Sequence, residues 1–380
     1  MTPTEFWRSP TRADGDSTKW RLYSGRDIIP AWVADMDVCA AVPIIEAVRT
    51  RAEHGIYGYA DPTSELIEVI LSYFSRRWSW TIEAEWLIFL PGLGPAIHAM
   101  CRMADGGGIL TPSPIYHVFR RAPELAGAIR SDVPFIREGE EWKLPESSLM
   151  RGLSSDTRIM QLCNPHNPNG KVFTRDELSE LAEFCLRHRL TLCSDEVHAD
   201  LILDADKSHC CIASLDSEIA RSTITLQSPS KSFNIAGLNF AVAVIPDKEL
   251  RARFRSSLSG KVITHLNPFG MVAAHSAWGG DCDDWLSDAI SCLRSNRDLL
   301  SSATLKMSGI EMPHLSSTYL AWLRTSGIPS SDFERHGLGM SPGESFGDGD
   351  YMRLNFGCSP SLLSEIIERL GRASGEFSDN

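Results

Sequence analysis

The segment Ser228-Pro-Ser-Lys231-Ser-Phe-Asn234 is the most informative part of this sequence. Its lysine lies between small hydroxyl residues, just after an apolar run at 223–226, and can form an imine with an aldehyde. A second motif, Ser194-Asp195-Glu196-Val-His198, ends the apolar run at 190–194 with a carboxylate that can keep a pyridinium nitrogen protonated. The two motifs therefore predict the two ends of a pyridoxal phosphate (PLP) site, with Lys231 on the aldehyde carbon and Asp195 on the ring nitrogen.

Two simpler interpretations compete with a PLP site. A lysine after Ser-x-Ser is usually a solvated surface residue, and an Asp-Glu pair usually begins a helix. A metal site would instead use Asp195, Glu196, His198, Asp200 and His209. On a strand, however, Asp195 and His198 would point to opposite faces, and no HExxH or CxxC spacing supports zinc. We therefore expect no metal site.

Two further motifs in the expected chain order favour PLP. They are Asn167-Pro-Asn-Gly170 upstream and Arg353-Leu-Asn-Phe-Gly357 downstream. Agreement of four motifs in order and spacing is far more specific than any one of them.

Composition excludes several classes of partner. The net charge of −12, with no basic block to offset it, argues against nucleic acid and anionic membrane surfaces. No apolar run reaches about 18 residues, so we expect no membrane span. The beginning of the chain has no basic region followed by an apolar one, and the ten cysteines show no CxxC pair and lie mostly in apolar runs. These features predict a cytoplasmic protein.

The chain alternates short apolar runs with amphipathic segments, which predicts an α/β fold with a mostly parallel sheet between helices. The candidate strands are residues 86–90, 108–110, 158–162, 190–193, 223–226 and 240–245. The candidate helices are residues 94–103, 117–126, 174–188 and 247–258. Thr174-Arg-Asp-Glu177 matches a capping box at the start of the third helix.

A different pattern follows residue 278. A long helix at 283–307, runs at 319–323 and 351–356 and a last helix at 361–373 predict a small α+β lobe. We expect residues 1–44 to form an arm that packs on this lobe, residues 45–277 to form the large PLP-binding domain, and residues 278–380 to form the small domain.

The remaining parts of a PLP site can also be assigned to residues. Pro91-Gly92-Leu93-Gly94 precedes a helix whose backbone amides can face a phosphate, and Ser228 and Ser230 add hydroxyl donors. Tyr116, after Thr111-Pro-Ser-Pro-Ile, is placed to stack on the pyridine ring. The glycine turn is as often a plain strand-to-helix corner, and Tyr116 is alternatively a half-buried core aromatic.

Asn167 and Arg353 complete this set. The amide of Asn167 can donate to O3′ of the cofactor, and the fork of Arg353 suits a substrate α-carboxylate. The alternatives are an ordinary Asn-Pro turn and an ordinary strand-edge arginine.

These residues and others resemble those of fold-type I PLP enzymes of the class I/II aminotransferase superfamily, specifically the MalY/PatB-type cystathionine or cysteine-S-conjugate β-lyases. The motifs that carry the resemblance are Ala31-Trp-Val-Ala-Asp-Met-Asp37, Tyr57-Gly-Tyr59, Pro91-Gly92, Cys163-Asn-Pro-His-Asn-Pro168, Ser194-Asp-Glu-Val-His-Ala-Asp200, Pro229-Ser-Lys-Ser-Phe-Asn-Ile-Ala-Gly237, Asn267-Pro-Phe-Gly270, Tyr319-Leu-Ala-Trp322 and Arg353-Leu-Asn-Phe-Gly-Cys358. The match covers nearly the whole chain.

The resemblance implies a large lobe with a sheet of the seven-stranded type, a small α+β lobe, and a homodimer with shared active sites. Tyr59 would reach the cofactor phosphate of the partner subunit, and His198 would join the cofactor-binding residues. Independently of the resemblance, we expect Trp32, Tyr116 and Tyr319 to line an apolar wall for the S-substituent, with ordinary core positions as the alternative for each.

Four departures from the family pattern concern the substrate side. Gly94 stands where a bulky residue is usual, and Cys358-Ser-Pro-Ser361 lacks the usual second arginine. The stretch 324–340 is shorter than usual, which would widen the entrance. Asn239 stands where aminotransferases often carry a phosphate-binding arginine, which the lyase branch commonly lacks as well.

The function expected from these features is PLP-dependent C–S β-lysis of cystathionine or a bulky L-cysteine S-conjugate, which yields a thiol, pyruvate and ammonia. Lys231 would remove the Cα proton. The alternatives are an aminotransferase, another PLP-dependent deamination or decarboxylation in specialised metabolism, and a regulatory PLP-binding protein. The sequence does not decide among leaving groups.

Overall fold

The computed structural model describes residues 6–13, 15–258, 265–325 and 327–375. Its strands are β1 (Ile29–Pro30), β2 (Leu87–Leu90), β3 (Gly108–Ser113), β4 (Ile129–Pro134), β5 (Ile136–Glu138), β6 (Glu141–Lys143), β7 (Thr157–Cys163), β8 (Thr191–Asp195), β9 (Thr223–Gln227), β10 (Ala241–Val244), β11 (Leu320–Arg324), β12 (Leu338–Gly339), β13 (Ser341–Pro342) and β14 (Tyr351–Asn355).

The helices are α1 (Thr18–Arg21), α2 (Val42–Glu53), α3 (Ser64–Trp78), α4 (Leu93–Arg102), α5 (His117–Leu125), α6 (Glu146–Gly152), α7 (Arg175–Arg187), α8 (Ser217–Ser222), α9 (Lys248–Leu258), α10 (Pro268–Trp278), α11 (Asp283–Thr304), α12 (Ser330–Arg335) and α13 (Pro360–Ala373). Within the described ranges, no helix is long and apolar enough to cross a membrane.

The central sheet confirms the predicted mostly parallel, seven-stranded architecture. Across the described residues its strand order is β2-β10-β9-β8-β7-β3-β4, and β10 alone of these strands runs antiparallel to its neighbours. In the β7-β8-β9 part of the sheet, Cys163 pairs with Asp195 and Asp195 with Leu226. The carboxyl ends of these three strands therefore meet at one edge, where parallel α/β sheets bind their ligands.

The edge strand β4 was not among the predicted strands. It pairs in parallel with β3, but of its residues only Val133 is buried. Strands are recognised in a sequence by alternating apolar and polar residues or by a continuous apolar run. This strand has neither pattern, because so little of its side-chain area on either face is apolar. Its place at the sheet edge explains this exposure.

The capping box at the start of α7 is confirmed. The Thr174 hydroxyl accepts from the Glu177 amide at 3.2 Å, and the Thr174 amide donates to the Glu177 carboxylate at 2.9 Å. Loss of such a cap typically costs about 1 kcal/mol. This helix covers one face of the sheet through Leu178, Leu181 and Phe184.

Both ends of the chain contribute to a second core outside the central sheet. In the described ranges β11, β14 and β13 form an antiparallel sheet, and β1 pairs in parallel with β12 through Ile29 and Leu338. Phe6 and Met36 from the beginning of the chain share one buried cluster with Leu320 and Phe356. The early segment is thus built into the small α+β layer.

Candidate active site

A cavity of about 740 Å³ opens between the carboxyl edge of the central sheet and the small sheet. The sequence-predicted residues that line it are Trp32, Gly92, Leu93, Gly94, Tyr116, Asn167, Asp195, His198, Ser228, Ser230, Lys231 and Arg353. The cavity therefore brings together nearly all of the residues that the motifs selected, although they come from seven separate parts of the chain.

One end of the cavity is formed by the start of α4. Gly92 precedes the helix with φ +125°, a conformation that favours glycine, and the first-turn amides have no helical acceptor. A Cβ built on Gly92 or Gly94 would meet no atom within 4 Å, so open space adjoins this backbone. A helix N-terminus beside such space suits a phosphate group.

The two serines near Lys231 differ in what they can donate. The hydroxyl of Ser228 already donates to the carbonyl of Phe240 at 2.6 Å and accepts from the Ser230 amide at 3.2 Å. The Ser228 hydroxyl therefore stabilises the loop that carries Lys231. Its proton is not available to a ligand, contrary to our expectation. Ser230 is half-buried and lines the cavity, which leaves its hydroxyl as the better placed donor.

Asp195 lies at the last position of β8 and its carboxylate accepts from the Val197 amide at 3.2 Å. Burial, with a smaller contribution from Glu196, raises the pKa of Asp195 to about 7. A buried carboxylate in this state gains most from a cationic N–H partner, which a pyridinium nitrogen provides. Asp195 thus fits the ring-nitrogen end of PLP.

His198 faces the same cavity as Asp195, which corrects the expectation that the two point to opposite faces. The strand ends at Asp195, so the alternation of a strand does not extend to the turn that carries His198. Burial lowers the pKa of His198 to about 3, and its Nδ1 has no hydrogen-bond partner among the described residues. His198 is therefore a neutral imidazole with an unused polar atom at the cavity.

Asn167 is held from two sides. Its carbonyl accepts from the Tyr116 amide at 3.1 Å, and its side-chain oxygen accepts from Arg353 at 3.2 Å. The side-chain NH₂ is therefore left to donate elsewhere, as expected for a contact to O3′ of the cofactor. Tyr116 is itself half-buried at the start of α5 and lines the cavity.

Lys231 is half-buried, and its Nζ donates to the carbonyl of Ala34 at 2.7 Å. Desolvation and then the charge of Arg353 lower the pKa of Lys231 to about 8, although Asp35 and Asp195 oppose this shift. An amine with a depressed pKa is a better nucleophile and base near neutral pH than an exposed lysine.

Arg353 is 4% exposed, and no carboxylate of the described residues pairs with it. Its guanidinium donates to Asn167 and to the carbonyl of Trp32, and it lies 4.6 Å from the centre of the Phe346 ring. Its Nε has no partner within the described ranges, and burial lowers the pKa of Arg353 to about 10. A buried cation without a counter-ion is a strong site for a ligand carboxylate.

Two predicted residues lie outside the cavity. Tyr319 is fully buried, its hydroxyl donates to the Ala34 carbonyl at 2.9 Å, and it is absent from the described cavity lining. It therefore does not form the expected wall for a substrate. Tyr59 is 86% exposed, its ring centre lies 4.1 Å from that of His265, and it is absent from the described cavity lining.

The segment after Cys358 also differs from its expected role. The Ser359 hydroxyl accepts from the Leu362 amide and caps α13, and residues 358–361 are not part of the described cavity lining. In this chain the segment therefore contributes no side chain to the described cavity lining. The stretch 324–340, which we expected to be short, does contribute to the cavity lining through Glu334 and Met340.

Sequence reasoning missed several residues of the lining, notably His117, Phe346, Ala34 and Glu334. His117 directly follows Tyr116 at the start of α5, and this adjacency was an available signal. Phe346 lies under Arg353 only because the loop before β14 folds over the cavity, for which the local sequence holds no signal.

Comparison with known proteins agrees with this geometry. Residues 35–370 match the family described as aminotransferase class I and II. Cystathionine beta-lyase PatB of Bacillus subtilis (strain 168) is 32% identical over 387 residues, which cover 97% of this chain and 99% of PatB. This relationship confirms the resemblance to MalY/PatB-type proteins.

Solved structures match over the same length. The crystal structure of OvoB has a TM-score of 0.94 and 39% identity, and covers 98% of this chain and 99% of OvoB. Cystalysin from Treponema denticola, whose structure contains a pyridoxal 5′-phosphate cofactor, has a TM-score of 0.92 and 27% identity, with coverage of 98% and 99%. This chain belongs to the aminotransferase class I and II family.

Proposed function

We propose that this protein is a PLP-dependent C–S β-lyase that cleaves cystathionine or a bulky L-cysteine S-conjugate to a thiol, pyruvate and ammonia. The observation that carries the proposal is that the uncompensated Arg353 guanidinium faces the same cavity as Lys231 and Asp195. An α-amino acid bound by its carboxylate at Arg353 would thus present its Cα to the lysine. Similarity to a cystathionine beta-lyase over nearly the whole chain supports the same reaction.

The described residues fit PLP at both of its ends. The start of α4 and Ser230 would hold the phosphate, Tyr116 and Asn167 would hold the ring and its O3′ oxygen, and Asp195 would hold the ring nitrogen. When bound there, PLP supplies an electron sink for negative charge at the substrate Cα. Lys231, as a neutral amine, takes the Cα proton onto Nζ, and the β-carbon–sulfur bond then breaks with its electron pair on sulfur.

The lining of the cavity favours an S-substituent without a negative charge. Trp32 and Met340 line the cavity, and Gly94 adds open space at its α4 end. Glu334 also faces the cavity, while its partner Arg26 is not part of the described lining. The distal carboxylate of cystathionine would meet Glu334, so a bulky apolar conjugate should be the better substrate.

The proposal includes a homodimer. Ile56, Tyr57, Tyr59 and Val42 are all more than 60% exposed, which is unusual for such large apolar side chains. A second copy of the chain would cover this surface and receive Tyr59 at its cofactor phosphate. The ten cysteines are all unpaired, and eight of them are buried, which supports a reducing cytoplasmic location.

Product analysis tests the reaction directly. The holoenzyme would be incubated with L-cystathionine, with a bulky cysteine S-conjugate, and with an amino acid plus a 2-oxo acid. Pyruvate and free thiol in equal amounts are expected, and Lys231→Ala serves as the inactive control. Formation of a new amino acid without thiol release would instead identify an aminotransferase, the activity for which the family is named.

A further inference from the structure

The carbonyl oxygen of Ala34 receives two side-chain donors within the active site. Lys231 Nζ lies 2.7 Å from it, and the Tyr319 hydroxyl lies 2.9 Å from it. The proposed chemistry uses Lys231 but gives no role to Tyr319 or to this carbonyl. Since a carbonyl oxygen has two lone pairs, both donors can be accepted at the same time.

The segment that carries Ala34 is fixed on both sides. The Asn355 side-chain NH₂ donates to the carbonyls of Val33 at 2.5 Å and Asp35 at 2.6 Å, which flank Ala34. Buried Lys19 pairs with the Asp37 carboxylate at 2.7 Å. The backbone on either side of Ala34 therefore has little freedom to move away from Lys231.

Tyr319 is fixed as firmly as this segment. It is fully buried at the start of β11, and its carbonyl accepts from the Phe356 amide at 3.0 Å. The preceding Thr318 has φ +69°, a strained conformation for a β-branched residue. Such strain persists where the surrounding structure dictates the conformation, and here it directs Tyr319 towards Ala34.

We propose that Tyr319 is a positioning residue. Its hydroxyl holds the Ala34 carbonyl where this oxygen can accept a hydrogen bond from the Lys231 ammonium. That ammonium forms when Lys231 removes the Cα proton of the substrate. In that step the Cα–H bond breaks, its electron pair remains on Cα, and the proton bonds to Nζ of the neutral lysine. The resulting ammonium has three N–H groups, and the Ala34 carbonyl is a fixed acceptor for one of them.

The charges around Lys231 make such an acceptor important. Burial and Arg353 both disfavour the ammonium, whereas the Asp35 and Asp195 carboxylates favour it. The other titratable groups near Lys231 in the described structure are His198 and Tyr319, and both are neutral. Asp195 would be engaged by the ring nitrogen during the reaction, so the Ala34 carbonyl is the acceptor that stays in direct contact with the lysine.

The test compares Tyr319→Phe with wild type, and Tyr351→Phe is the matched control. Tyr351 is a buried tyrosine of the same small sheet, but its ring stacks on Trp322 and its hydroxyl faces Arg137. In the full-length apoenzyme, the pKa of Lys231 is measured by reductive methylation with ¹³C-formaldehyde and NMR across a pH series. The pKa should be lower in Tyr319→Phe than in wild type and unchanged in Tyr351→Phe.

The holoenzyme gives the second measurement. In Tyr319→Phe we expect kcat to fall about tenfold with KM changed less than about twofold, and the acidic limb of kcat to move to lower pH. Asn355→Ser, which releases the carbonyls on either side of Ala34, should change the same quantities in the same direction. An unchanged or raised pKa of Lys231 in both variants, or an unchanged kcat, overturns the proposal.

This inference rests on the proposed function only for the identity of the reaction. The apoenzyme titration needs no substrate, and kcat is measured on whichever reaction wild type catalyses. Failure of wild type to release a thiol would therefore reject the lyase, whereas the Lys231 titration decides the role of Tyr319.

Discussion

The Arg353 guanidinium donates to the side-chain oxygen of Asn167 at 3.2 Å and so joins the small sheet to the loop after β7. This contact settles which way the Asn167 amide points, because an arginine can donate only to the oxygen. The NH₂ group is then available to the cofactor. Under the proposed function, Arg353 would thus receive the substrate carboxylate and also orient a donor to the cofactor.

Lys231 should be the residue that forms the covalent link to PLP. The purified holoenzyme should absorb visible light in the range of a lysine-bound PLP, and borohydride reduction followed by peptide mass spectrometry should place the cofactor on Lys231. The lowered pKa of this half-buried amine favours the reaction. Labelling of a different lysine would contradict the assignment, and Lys231→Ala is the control.

Asp195→Asn should still bind PLP but lose most of its turnover. The neutral amide cannot stabilise a protonated ring nitrogen, and electrostatic or acid–base contributions of this type amount to roughly 10²–10⁴-fold in rate. Single-turnover kinetics at saturating PLP separates this loss from weaker cofactor binding. Near-normal turnover would show that Asp195 does not support the ring nitrogen.

The stability of the apoenzyme should depend on pH through Asp195. Its pKa is about 7 in the folded chain and about 4 when unfolded, so the folded state binds the proton more strongly. The resulting stability is present below about pH 4 and is lost as the pH rises through 7. Asp195→Asn removes this dependence and should raise the thermal midpoint, relative to wild type, more at pH 8 than at pH 5.

Thermal unfolding of both apoenzymes between pH 5 and pH 8 measures the difference in stability between them, which should change by about 2–3 kcal/mol over this range. His198 has the opposite dependence, since its lowered pKa costs stability as the pH falls. Because His198 is present in both proteins, its contribution cancels in the comparison. Parallel curves for the two proteins would contradict the buried state of Asp195.

Tyr59 should act in the active site of the partner subunit. Lys231→Ala and Tyr59→Phe subunits, each with low activity alone, should regain activity when they are mixed after mild dissociation. One of the two sites in a hybrid dimer would then contain both native residues. Tyr57→Phe, at a similarly exposed position in the same loop, is the control. Mixtures no more active than the better parent would place Tyr59 outside the shared site.

Gly94→Val should narrow the range of accepted substrates. A Cβ at this position meets no atom within 4 Å, so the variant should fold normally and project its methyl groups into the cavity. We expect kcat/KM to fall for a bulky apolar conjugate by about 10–200-fold relative to a small one. Equal effects on small and bulky conjugates, or a wild-type preference for cystathionine, would contradict the proposed substrate class.

Sequence patterns located the parts of the site that follow buried strands. Asp195 and Lys231 could be found because each comes at or just after an apolar run whose end the parallel sheet brings to one edge. The hydrogen bond of Tyr319 to Ala34 could not be predicted in the same way. Its partner is a main-chain carbonyl 285 residues earlier, and no side-chain pattern marks such an acceptor.

Two predictions about side chains were wrong because a rule that holds within a strand or a motif was applied to residues whose contacts lie outside it. Strand alternation placed His198 opposite Asp195, but β8 ends before His198. The hydroxyl of Ser228 was read as a ligand donor, but a carbonyl of the neighbouring segment takes its proton. In both cases tertiary contacts, rather than residue type, decide what the side chain can do.

The direct contact between Trp32 and Arg353 has a consequence for synthesis of the chain on the ribosome. The Trp32 carbonyl accepts from a guanidinium 321 positions later, and the Val33 carbonyl accepts from Asn355, 322 positions later. The segment around Trp32 and Val33 therefore lacks its final hydrogen-bond partners until almost the whole chain has emerged from the ribosome. Its apolar side chains, including Phe6 and Trp7, are exposed meanwhile, so this period is when a chaperone would be of most use.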